Sequence, residues 1–114
     1  MPTTRTLFID QYRLPASTDE FVSANRMRVT VGTNFPTGST EHSRTVFILE
    51  DAGAEIRCGL NSEEVRPVDR IEIVLGGDPE YETFLDALKF AVDTLTLLAH
   101  ANTLRDEHPP RATG

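Results

Sequence analysis

Few side chains in this sequence could do chemistry: one thiol, three imidazoles and adjacent carboxylates such as Glu50-Asp51 and Glu63-Glu64. Cys58 could serve as a nucleophile only with a base in hydrogen-bond reach, and His42 and His100 are the bases on offer. The thiol lies in phase with Ile56 and Leu60 on an alternating segment, which predicts a buried, inert cysteine. His42, His100 and His108 fall in a loop, a helix and a tail, without metal-ligand spacing. No His-x-x-x-His or Cys-x-x-Cys occurs, so a dedicated zinc site is not expected. Glu63-Glu64 and Glu50-Asp51 fall in predicted turns, where hydrated carboxylates are the ordinary outcome. Gly32 and Gly38 have no lysine after them and do not make a phosphate-cradling loop. The expectation is a protein without catalysis, cofactor or metal.

Arginine offers a second kind of chemistry. Ten of the eleven basic residues are Arg, with Lys89 the exception. Arg26, Arg28, Arg57 and Arg70 are expected on the open side of a sheet, together with Thr30, Glu55 and Glu72. Such a face can be a solvated set of cross-strand ion pairs. It can also gather its guanidinium groups into a socket for a phosphate or an acidic partner. Strand order decides between the two, and the spacing leaves it open.

The element that must organise all this is the C-terminal apolar run from Pro79 to about Asp106. Asp78 is a good N-cap for the amides of a first turn, Pro79 suits the next position, and Glu80 and Glu82 complement the helix dipole. Pro109 and Pro110 stop the run. The resulting rod of about 27 residues would be roughly 40 Å long. One wide face carries Tyr81, Phe84, Leu85, Leu88, Ala91, Val92, Leu95, Leu98 and Ala99, an ordinary core stripe.

The other side is mostly polar, with Asp86, Lys89, Asp93 and His100, yet Phe90, Leu97 and Leu104 recur there every seven residues beside Ala101. A surface helix has no need of that seam. Each such side chain left in water forgoes roughly 1.5–3 kcal/mol relative to burial. The N-terminal segment, a second copy of the chain or a foreign protein could cover it.

Upstream, Thr6 to Ile9 reads as a short strand, and Leu14 to Asp19 as a turn leading into a one-turn helix with Phe21 and Val22. Met27 to Val31 alternates as a strand, and Gly32 to Ser43 has the composition of a mobile surface loop. Arg44 to Glu50, apolar on both faces, predicts a central strand. Asp51-Ala52-Gly53 signals a hairpin returning as a strand over Ala54 to Leu60. Asn61 to Pro67 is turn-like, and Val68 to Leu75 forms the last strand, with Ile71, Ile73 and Leu75 facing the core. Val74-Leu75-Gly76-Gly77 resembles, over four residues, the end of a ubiquitin-like modifier. The sharp turn joining strand to helix explains the glycine pair, and the run after it is too apolar for a discarded tail.

These elements predict an α+β fold of two layers, a mostly antiparallel sheet of four to five strands packed by one long C-terminal helix. One domain over 1–108 and a disordered tail over 109–114 are expected. A net charge of −7, from 11 basic and 18 acidic residues, is wrong for a bulk grip on nucleic acid or an anionic membrane. The single cysteine suits a reducing cytoplasm. The function expected is that of a small acidic interaction protein of immunity, antitoxin, inhibitor or adaptor type, working as a homodimer or as half of a complex with another protein. A small-ligand or phosphate binder using the arginine face is the alternative.

Overall fold

The computed structural model describes residues 2–23, 25–51, 53, 56–61 and 63–107. It has the α+β composition expected, with a five-stranded antiparallel sheet and one long C-terminal helix. The chain divides into two compact units, one ending at Tyr81 and the other beginning at Glu82. The tail expected over 109–114 lies outside the described residues.

The first unit holds β1 (Thr3–Ile9), β2 (Tyr12–Val22), β3 (Arg26–Thr33), β4 (Arg44–Asp51), β5 (Ile56–Cys58), β6 (Arg66–Val68) and β7 (Arg70–Gly76). The main sheet runs in the order β1-β2-β3-β4-β7, with β1 and β7 at its edges. Helix α1 spans Asp78–Glu107.

Several local readings are corrected. Leu14 to Asp19 is neither turn nor helix but the middle of an eleven-residue strand. Pro15 is tolerated because it lies one step beyond the β2–β3 ladder, which begins at Ala16↔Gly32, so that its missing donor is not demanded there. The β1–β2 turn is the two-residue Asp10-Gln11, both at positive φ (50° and 65°), the twist a tight hairpin needs. Neither residue is glycine, which is why the hairpin is hard to see in the sequence. The segment returning from Asp51 does not pair with β4. β5 instead pairs with β6 in a separate two-stranded sheet, and β7 takes the place beside β4 with seven paired residues. Three residues that stop at Cys58, before Gly59, cannot compete with that apolar, β-branched strand. Ala54 and Glu55 lie outside the described residues.

The register assigns side chains to the two faces. On one, Ala16, Gly32, Val46 and Val74 form a row, followed by Thr18, Thr30, Ile48 and Glu72, then by Glu20, Arg28, Glu50 and Arg70. This face is divided along its length. At one end Leu14, Val46 and Ile48 make the buried core, with Leu7, Ile9 and Tyr12 packed against it, and at the other the charges gather. Thr30, expected outward, is therefore buried, and its hydroxyl shares a 2.7 Å hydrogen bond with that of Thr18. On the opposite face Val31, Phe47 and Ile73 share one row, and Val29, Leu49 and Ile71 the next. Ile73, expected in the core, is 38% exposed there and Val31 43%.

Gly32 marks a close approach between β2 and β3. A Cβ at that position would stand 2.8 Å from the Ala16 Cβ and 3.1 Å from the Pro15 carbonyl oxygen. Gly32→Val should lower the urea midpoint by the equivalent of about 1–3 kcal/mol, the usual cost of overpacking. A midpoint equal to that of the parent would mean that β2 and β3 are not so closely joined.

Candidate functional site

The first candidate is the charged end of the sheet. Cross-strand pairing sets Glu20 opposite Arg28, Arg28 opposite Glu50 and Glu50 opposite Arg70. The Arg28 guanidinium donates from Nε and Nη2 to Glu20 Oε1 at 3.3 and 3.0 Å, and its Nη1 stands 4.0 Å from Glu50. Those bonds, chiefly the one to Glu20 and then the charges of Glu20 and Glu50, hold the proton of Arg28 more firmly than usual, against a small desolvation cost. Arg26 lies 3.9 Å from Glu20, and Arg70 bridges to Glu72 at 2.8 Å.

The structure thus brings Arg26, Arg28 and Arg70 to one side of a shallow hollow of about 240 Å³, but each faces a carboxylate. Arg57 is elsewhere, on β5 opposite Pro67. An incoming phosphate would have to compete with Glu20 and Glu50 at Arg26 and Arg28, and with Glu72 at Arg70. These pairs are half exposed, so their contribution to stability is small.

Among the residues lining this hollow, Asp51 corrects the expectation of hydrated turn carboxylates. It is wholly buried at the end of β4 and holds two donors, the Asn25 side-chain amide and the Gly53 N–H, each at 2.9 Å. A buried carboxylate is tolerable only with such partners. Its own N–H donates to the Asp69 carbonyl at 2.9 Å, tying the end of β4 to the residue before β7. Asp51→Ala should cost about 1–3 kcal/mol in denaturant unfolding, because the Asn25 amide loses its acceptor, and Asp51→Asn should cost less. Equal loss in both variants would point to charge rather than hydrogen bonding.

A second cluster surrounds the segment expected to be a mobile loop. Residues 34–43 are in fact tied down on several sides. The sequence assigns the Asp78 carboxylate to the first helical turn; in the structure it accepts from the Thr37 N–H and hydroxyl and from the Gly38 N–H at 3.0–3.4 Å. Backbone bonds run from Gly77 N–H to the Ser43 carbonyl and from Asp78 N–H to the Ser39 carbonyl. The Phe35 ring, next to a cis bond to Pro36, stacks on Tyr81 with centroids 3.9 Å apart. Arg44 lies over the Tyr12 ring at 4.8 Å and donates to Asp10 at 3.0 Å, while the Tyr12 hydroxyl meets His42 Nδ1 at 3.0 Å. His42 is thereby engaged with Tyr12, and Cys58 lies half-buried on β5. The deep burial expected for the thiol is not reached. Among the described residues no three His, Cys, Asp or Glu side chains group to hold a metal ion.

Partial desolvation of the Asp78 carboxylate pushes its pKa up, but the donors outweigh this and hold it below the ordinary value. The buried Ser43 hydroxyl belongs to this electrostatic environment, although it makes no hydrogen bond of acceptable geometry. A carboxylate depressed in the folded state stabilises fully above its unfolded pKa, and the benefit is lost as the pH falls through the folded value. Asp78→Asn should therefore melt below the parent at pH 7, and the gap should close as the pH drops beneath the ordinary carboxylate range. A gap that stays constant with pH would rule out the ionised clasp.

The third candidate is the second seam of α1, considered within its own unit. Phe90, Leu97 and Leu104 are 70%, 67% and 45% exposed, and Ala101 is exposed beside them. The stripe read as core is open along its later turns as well, with Val92, Leu95 and Leu98 all exposed. Two polar positions in this stretch are satisfied internally: Thr96 and Thr103 donate to the carbonyls of Val92 and Ala99 at 2.8 and 3.0 Å. Their O–H donors are thereby turned back onto the helix backbone. Among the described residues no helix is long and apolar enough to cross a membrane.

Compared with protein-family models, curated proteins and solved structures, the chain matches none.

Proposed function

We propose that this protein is a non-enzymatic acidic interaction protein that works through protein–protein contacts as a homodimer, in the cytoplasm. The observation that carries the reading is the exposure of large apolar side chains around α1, with Phe90 at 70%, Leu95 at 66% and Leu97 at 67%. Side chains of this size gain roughly 1.5–3 kcal/mol each on burial, a drive that grows with every one brought under cover. The sheet adds to it, since Val31 and Ile73 flank Phe47 in one row of its apolar face and both are exposed. A second copy supplies matching apolar surface of both kinds, and a two-fold dimer uses the same patch from each subunit.

The charge agrees with this economy. With 18 acidic residues against 11 basic, the surface outside the contact is negative, which favours solubility and discriminates between partners by charge. The arginines serve the sheet in this reading, since Arg26, Arg28 and Arg70 each stand beside a carboxylate.

Light scattering at micromolar concentration should give twice the 12.7 kDa mass of the chain. Leu97→Glu should reduce that mass to one chain while circular dichroism retains the strand signal of the sheet. A parent protein that remains one chain at high micromolar concentration would defeat the dimer. A Leu97→Glu variant that keeps its mass but loses stability would assign the seam to the chain's own interior instead.

A further inference from the structure

No further inference is drawn: the strongest candidate, the open hollow of about 310 Å³ between the two-stranded sheet and β7 where Cys58 lies near Arg66, rests on a lone cysteine, and nothing in the structure shows what covers it.

Discussion

Apolar surface in excess of what the sheet encloses is the constraint on which this structure turns. Only Leu14, Val46 and Ile48 form the buried aliphatic cluster among the described residues, while Phe90, Val92, Leu95, Leu97 and Leu98 are each more than half exposed. A helix that is hydrophobic on most of its circumference is normally enclosed on more than one side. Large contiguous apolar patches on a soluble protein mark places where something else binds. The proposed self-association follows from that imbalance, with a second copy as the counterpart of closest supply.

Several polar groups, by contrast, find their partners within the first unit. Arg28 is shared by Glu20 and Glu50, Asp51 gathers Asn25 and Gly53, and Asp78 gathers Thr37 and Gly38. Each arrangement joins segments distant in sequence, so the polar chemistry of the chain is spent on holding strands, loop and first helical turn in register.

What could be read from the sequence followed periodicity. The alternation of Met27 to Val31 and of Ile71, Ile73 and Leu75 indicates strands, and the Asp78-Pro79 pair marks the start of α1, although the Asp78 carboxylate turns to Thr37 and Gly38. Position along a strand was not legible. Alternation tells which side a residue takes but not how far from the core it falls, so Thr30 was mistaken for a surface residue although its row also holds Ile48. Pro15 hid β2, because its cost vanishes only where the neighbouring ladder ends, and that end depends on tertiary pairing.

For the candidate site, Phe90, Leu97 and Leu104 are visible in the sequence as a seven-residue recurrence with Ala101 beside it, and in the structure all four are exposed. The arginine face was only half legible. Arg26, Arg28 and Arg70 do share a side, but Arg57 left it when β5 joined β6, and the partners Glu20 and Glu50 came from strand pairings that no local pattern encodes. The clasp at Asp78 was invisible because the loop composition that predicted mobility is equally suited to hydrogen bonding with a carboxylate.

Hydrogen exchange across residues 90–104, followed as a function of protein concentration, tests the central claim most directly. Covered by a second copy, these amides should gain protection as concentration rises through the dimerisation range, while those of the β2–β4 ladders change little. Protection of the helix that is the same at every concentration would contradict the account.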